Sequence, residues 1–398
     1  MAELKYWVWL SSVAGMGPGN VRRLLERFES PDQVFFAQRE EFEALGWLSA
    51  GAINALCAKK LYQAVEIIDR CAAHGWQILT VRDAAYPERL RNIYDPPVVL
   101  YVRGGLPYLD GEAVVGVVGT RNCTPYGLKA AERMGYELAK SGCVVTTGLA
   151  RGIDTAAAKG ALRGGGKVIG VLGCGLDVVY PAENDRLYDD VAAVGALITE
   201  YPPGTEPSGR HFPARNRIIS GIALGITVIE APEKSGSIIT ANHALEQGRD
   251  VFVVPGNIDS PASAGSNALL REGAIAVMSG YDIAREYEAG FARRIDASDR
   301  GADVPVEPAE TVSPFPAAQV EKQTEERKPD AQAQPAQEPV DLSPEEQAVY
   351  DVLAGGKLHV DEIMARCGVE PGAALSALTM LEISGVIRQE PGKFFSRL

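Results

Sequence analysis

Histidine and cysteine are scarce in this chain, which holds 4 and 6 of them in 398 residues. The histidines (His74, His211, His243 and His359) never fall in an H-E-x-x-H or similar pattern, and the cysteines (Cys57, Cys71, Cys123, Cys143, Cys174 and Cys367) form no C-x-x-C pair. That spacing removes the usual zinc centres and dithiol redox motifs, and reduced, buried thiols are the expectation. A nucleoside triphosphate loop is missing too: Gly165-Gly166-Lys167 runs straight into Val168 and lacks the upstream glycine. No G-x-G-x-x-G follows the first apolar strand and no G-x-S-x-G elbow occurs, which disfavours NAD binding and a serine hydrolase. No cofactor or metal is expected. Long apolar runs are also absent. The uncharged apolar stretch from Ile218 up to Glu230, interrupted by Ser220, Gly221 and Gly225, is shorter than the ~20 residues of a membrane helix. Near the start, Glu3 and the brief apolar run Tyr6–Leu10 do not make a signal-peptide core. No membrane contact and a cytoplasmic location are the expectations.

What is present is ordinary globular material, with 46% apolar and 23% charged residues. The length points to two or more domains. The net charge of -13 would argue against a polyanionic partner if it were uniform, but it is not. The first 285 residues carry 31 acidic and 28 basic side chains, and the remaining 113 carry 21 and 11.

Composition and periodicity divide the chain into four parts. Residues 1–80 read as a small helical domain with a helix-hairpin-helix (or SAM-like) flavour, because Val21, Leu24, Leu25 and Phe28 recur at helical spacing behind Gly15-Met16-Gly17-Pro18-Gly19. A second glycine-led helix follows Leu45-Gly46-Trp47. Residues 81–290 alternate short β-branched runs (AVVGVVG, CVVTTG, KVIGVLG, ALITEY, ITVIEA, DVFVVPG) with helical stretches, which is the pattern of an α/β fold built on a Rossmann-like, doubly wound parallel sheet. Residues 291–340 are a proline- and Glu/Gln-rich linker too poor in aromatics to fold. Residues 341–398 read as three helices and a terminal hairpin, a winged helix. Its third helix, Pro371 to Ser384, has no Lys or Arg from Ala373 onward and contains Glu382. Reading of duplex DNA through that helix is disfavoured, and a protein-protein role is expected.

The polar, glycine-containing loops cluster where strands end, the edge at which open α/β sheets bind ligands. Gly119-Thr120-Arg121 precedes a helix near Pro125 and offers amides, a helix start and a guanidinium to a phosphate. Gly148 to Asp154, with Arg151 and Gly152, has the same construction, its alternative being a tight turn capped by Asp154. His211 to Arg217 precedes the next helix and concentrates Arg215, Asn216, Arg217 and Phe212, suited to phosphate and base. Ser235-Gly236-Ser237 and Thr240 form a further hydroxyl-bearing loop. The acids at loop ends (Asp154, Asp177, Glu183, Glu230, Asp259) fit capping and turn roles better than catalysis.

Seven of these motifs stand together in order: G-T-R at 119–121, T-T-G-L-A-R-G-I-D at 146–154, V-L-G-C-G-L-D-V-V-Y-P-A-E-N at 171–184, F-P-A-R-N-R-I-I-S-G at 212–221, S-G-S-I-I-T-A at 235–241, E-Q-G-R-D-V-F-V-V-P-G at 246–256 and N-A-L-L-R-E-G-A at 267–274. On them the chain resembles the DNA-processing protein A family (DprA, also called Smf). One departure is that Ala156-Ala157-Ala158-Lys159 stands where the family usually has A-A-H. The resemblance implies a cytoplasmic, non-catalytic single-stranded DNA binder that shields the strand and loads the RecA recombinase in natural transformation and homologous recombination. It also implies a homodimer formed through the α/β domain. Carried over by position, Arg121 would be a principal phosphate contact. Gly119, Thr120, Gly148, Arg151, Gly152, Arg215, Asn216 and Arg217 would line the same pocket. The alternative is a nucleotide-processing enzyme of the phosphoribohydrolase type, against which stands the absence of a P-G-G-x-G-T-x-x-E loop.

Overall fold

The computed structural model describes residues 3–296, 343–369, 373–374, 377–378, 380–381, 386–390 and 394–397. They fall in two compact units, described separately.

In the first unit, α1 (Leu4–Ser11), α2 (Pro18–Phe28), α3 (Pro31–Phe36), α4 (Arg39–Glu43), α5 (Ala50–Cys57) and α6 (Leu61–Ala73) precede any strand. Pro18 at the first turn of α2 supplies a fixed φ where no amide bond is lost. Val21, Leu24 and Phe28 then bury one face of that helix. The second helix expected after Leu45-Gly46-Trp47 is α5, which starts at Ala50, where Ser49 accepts the Ala52 amide.

Strands β1 (Gln77–Thr80) and β2 (Val99–Gly104), with the short α7 (Glu88–Arg91) between them, lead into the α/β core. The core runs β3 (Val114–Val118), α8 (Pro125–Lys140), β4 (Val144–Thr147), α9 (Ile153–Arg163), β5 (Val168–Val171), α10 (Asp185–Val194) and β6 (Ala196–Thr199). It continues through α11 (His211–Ile222), β7 (Gly225–Val228), α12 (Gly236–Glu246), β8 (Asp250–Val253), α13 (Ala264–Arg271), β9 (Ile275–Ala276) and α14 (Gly280–Glu288). The sheet order is β1-β2-β6-β5-β4-β3-β7-β8-β9. From β6 to β9 every pairing is parallel, while β2 joins β6 and β1 joins β2 antiparallel.

The expected doubly wound parallel sheet is therefore present, with an antiparallel edge that the sequence reading did not include. Gln77–Thr80 belongs to this sheet, so the expected boundary at residue 80 falls after its first strand. The linker expected from 291 begins no earlier than 297, because Ile295 is buried and the Asp296 amide donates to the Ser141 carbonyl. The rest of the expected linker lies outside the described residues.

Both faces of the sheet are covered. Val115 and Val117 enter a core shared with α8, α9, α10 and the front helices, and Val114 and Val118 enter one shared with α11, α12 and α13. This is why the strands read as continuous apolar runs and not as alternation. Helices α8 and α9 touch backbone to backbone: a Cβ at Gly160 would collide with the Glu132 carbonyl, and one at Gly135 with that of Ala157.

In the second unit, α15 (Pro344–Val352) opens with a Ser343/Glu346 capping box and α16 (Val360–Arg366) follows β10 (Leu358–His359). The hairpin β11 (Ile387–Glu390) and β12 (Phe394–Arg397) completes a sheet of order β10-β12-β11. Val349, Leu353, Ile363, Ile387 and Phe395 share its core with Ala374, Ala377, Leu378 and Leu381. Much of the expected third helix, Glu382 included, and the Pro391-Gly392 turn lie outside the described residues.

In an isolated helix, Gly→Ala is favourable by about 1 kcal/mol. Gly160→Ala should instead destabilise the protein by about 1–3 kcal/mol through overpacking, read as a lower midpoint in urea denaturation. An unchanged or higher midpoint would contradict the backbone contact between α8 and α9.

Candidate nucleic-acid interface

The chain leaves β3, winds outward through β4, β5 and β6, and returns to β7 on the other side of β3. Adjacent loops therefore diverge at the carboxyl ends of β3 and β7, the switch point at which such sheets bind ligands. A cavity of about 580 Å³ lies there, lined by Gly119, Thr120, Arg121, Asn122, Asp154, Tyr180, Phe212, Arg215, Asn216, Lys234, Ser235, Gly236, Ser237 and Thr240 among others.

Buried acids set the loop shapes. The Glu230 carboxylate, just past β7, accepts the Thr124 amide at 2.9 Å and the Thr124 hydroxyl at 2.6 Å, while the Thr120 amide donates to the Glu230 carbonyl at 2.7 Å. Thr124 in turn caps α8 by accepting the Gly127 amide at 3.2 Å. Glu230 thus fastens the G-T-R loop across the switch point. Asp154 accepts the Gly148 amide at 3.0 Å and the Ala150 amide at 3.5 Å. Burial pushes the Asp154 carboxyl up from its ordinary range, opposed by the neighbouring Arg215 guanidinium and these loop bonds. The second expected phosphate nest is corrected here, because its first amide is already spent on Asp154. The tight-turn alternative describes it better.

The glycines serve close approach. Gly152 has φ +76, and a side chain there would meet the Thr120 and Arg121 carbonyls at 2.6 and 2.7 Å. A Cβ at Gly119 would strike Ile153. The first two loops are therefore pressed together; Gly119 lines the cavity as expected, whereas Gly148 and Gly152, expected there too, are not in its lining.

The arginines separate into four roles. Arg121 is exposed, with its guanidinium carbon 5.1 Å from the Phe212 ring centre, and Phe212 stacks on Tyr180 at 5.2 Å. No ion pair holds it among the described residues. Arg215 is only 4% exposed; it donates to the Gly148 carbonyl at 2.9 Å and to the Val171 carbonyl, and touches the cavity from below. Burial draws its pKa below the ordinary value, with Asp154 opposing the shift. Arg217, expected in the same pocket, is not part of it. Its guanidinium forks onto Glu200 with two 2.8 Å bonds and meets Asp95 at 3.1 Å. Burial opposes that charge, but Glu200 and Asp95 outweigh it and hold the pKa above the ordinary value. Arg151 is also off the cavity wall, exposed and paired with Glu183, whose carboxyl it holds down at about 2.

A further correction concerns 211–217, which do not precede a helix but form the first turns of α11. One helix thereby sends Asn216 and Arg215 to the cavity and Arg217 toward β6. Asn216 donates to the Gly236 carbonyl at 3.1 Å, fixing the start of α12. There the Ser235 hydroxyl accepts the Ser237 amide at 3.3 Å and lies 2.6 Å from the Ser237 hydroxyl. An 11-residue helix thus points its amino end into the cavity. Lys234 and Asn122 belong to the lining and were not singled out from sequence; a cation beside S-G-S was the available signal. Asp177 joins Arg70 of α6 at 2.5 Å and the Gly204 amide at 2.8 Å, tying the front helices to a loop beside the site.

A family model described as DNA recombination-mediator protein A matches residues 77–288, and one described as the DprA winged helix domain matches 333–393. The chain belongs to the DNA recombination-mediator protein A family. Among its relatives, Protein Smf of Synechocystis is 32% identical over 402 residues, covering 100% of this chain and 99% of that one. DNA processing protein DprA of Streptococcus pneumoniae is 46% identical over 52% of this chain and 73% of its own length. The X-ray structure of the DprA of Streptococcus pneumoniae superposes with a TM-score of 0.64 at 37% identity, covering 71% of this chain and 97% of that chain. Among the described residues no helix is long and apolar enough to cross a membrane.

Arg217→Ala should lower stability by about 3–5 kcal/mol, because it empties a buried site and strands the half-buried Glu200 carboxylate without its cation, and thermal unfolding would read the loss. A change smaller than about 1 kcal/mol, the range of an exposed pair, would mean that the clamp is not buried in solution.

Proposed function

We propose that this crevice binds single-stranded DNA and that the chain acts as a non-catalytic mediator of DNA recombination. One observation carries the reading: the unpaired Arg121 guanidinium stands over the Phe212–Tyr180 stack, beside Lys234 and the amino end of α12, at the switch point of the sheet. A cation for phosphate next to an aromatic face for a base suits a strand whose bases are unpaired, since a base inside a duplex cannot reach the ring. Membership of a family described as DNA recombination mediators supports it, as do relatives named DNA processing proteins. In this reading Gly119, Thr120, Asn216 and Ser235-Gly236-Ser237 shape the phosphate seat, and Arg215 stiffens its floor. The loop-end acids Asp154, Asp177, Glu183 and Glu230 already serve loops or ion pairs, and we assign no catalytic step to them.

The partners we propose are a RecA-class recombinase, loaded on the shielded strand, and a second copy of this chain. Ile275 on edge strand β9, Met278 just beyond it and Ile258 in the loop after β8 are exposed apolar side chains available for self-association. Sedimentation of the chain alone and with recombinase on oligo-dT checks both. A dimer and a larger ternary species are expected, and a monomer that leaves the recombinase-DNA boundary unmoved removes both partners.

Arg121→Ala should weaken binding to labelled oligo-dT by about 1–3 kcal/mol through loss of a charge-assisted phosphate contact. Fluorescence anisotropy at two salt concentrations, with a matched duplex as the weaker ligand, measures it. Equal affinity of wild type and variant would sink the assignment of Arg121, and absence of single-strand binding by wild type would sink the reading itself.

A further inference from the structure

Arg151 and Glu183 form an ion pair close to the crevice, each within three residues of a side chain that lines it. Arg151 follows Ala150 and Glu183 comes three residues after Tyr180, and both Ala150 and Tyr180 line the cavity. The contact is a fork: Arg151 Nε donates to Glu183 Oε1 and its Nη2 to Oε2 at 3.1 Å. The two side chains are 61% and 52% exposed, so the pair adds little to folding and its members can part at small cost. The loop that carries Arg151 is the one pressed against the Thr120 and Arg121 carbonyls through Gly152. Arg151 therefore stands beside the proposed phosphate contact, on a rigid support, with its charge already matched.

We propose that Glu183 is an intramolecular stand-in for a DNA phosphate: it occupies the Arg151 fork in the free protein and is exchanged for a phosphate of the bound strand. This rests on the single-strand reading of the crevice. The exchange is chemically even, because a carboxylate and a phosphate both present two oxygens to the planar guanidinium. It imposes a threshold. An anion that reaches only Arg121 gains one contact and leaves the rim pair closed, whereas a strand with a neighbouring phosphate opens the pair and gains a second cation. Glu183 would thus discriminate a polynucleotide from small phosphates. In the family-derived expectation Arg151 was simply a DNA contact; here its availability depends on Glu183.

The test is a double-mutant cycle in the full chain, using anisotropy on labelled oligo-dT with wild type and Arg121→Ala alongside. Glu183→Gln keeps the size of the side chain and removes its charge. It should tighten binding about three- to tenfold at low salt, the gain shrinking as salt screens the pair in wild type. Arg151→Ala should weaken binding and lower the salt slope by about 0.7, the value for one single-strand phosphate. In the Arg151→Ala background the Glu183→Gln gain should vanish. A gain of equal size in both backgrounds would reduce Glu183 to its share of the net charge, and no gain, or a loss, would make the pair purely structural; either result overturns the proposal. Those results are separate from failure of the single-strand reading, in which wild type itself does not bind and the proposal falls with it. Unchanged thermal midpoints in the Glu183→Gln protein are expected and keep the comparison free of unfolding.

Discussion

The buried guanidinium of Arg215 holds the carboxyl edge of the sheet together. It donates to the carbonyls of Gly148 and Val171, at the ends of β4 and β5, and faces the Asp154 carboxylate that gathers the amides of the next loop. A charge taken this far from water must be met by partners, so the floor of the crevice is a closed network. The exposed residues above it, Arg121 and Lys234, are free to meet an outside anion because the floor is neutralised from within. Removing Asp154 would leave a cation without its counter-charge and would release the loop at the same time.

The layout of the α/β body was legible in the sequence because the parallel strands β3 to β8 are short, mostly apolar runs rich in β-branched residues, a direct consequence of helices on both faces. Strands β3 to β8 sit on the apolar segments that suggested them. Strands β1 and β2 were missed because an antiparallel addition to a parallel sheet carries no helix-strand alternation to announce it. The ends of helices were less legible than their cores. Residues 211–217 looked like a loop because of Pro213 and clustered polar groups, yet a proline in the first turn of α11 gives up no helical bond.

The site was legible as a set of loops and not as a set of roles. Arg121, Arg151, Arg215 and Arg217 all lie in glycine- or polar-rich motifs, and nothing in their immediate neighbours says which is free. The deciding partners are far away in the chain: Glu183 is 32 residues from Arg151, Gly148 is 67 from Arg215, and Asp95 is 122 from Arg217. Only the tertiary arrangement sorts four similar cations into an open contact, a masked one, a floor and a clamp. The charge balance followed the same course: a strongly acidic chain holds a cationic pocket because most of its excess acid lies after residue 285.

Glu230 has a consequence that reaches beyond the loop it shapes. It leaves β7, which begins the second half of the sheet, yet its carboxylate seats Thr124 at the start of α8, which belongs to the first half. The two halves are 106 residues apart in the chain at this contact, and the crevice between them is walled by both. A strand lying in it would touch one half through the loop after β3 and the other through the start of α12. Occupancy would then act as a splint across the seam of the fold, so that ligand and architecture would stabilise one another and the protein with its crevice filled would be mechanically a firmer object than the protein without it.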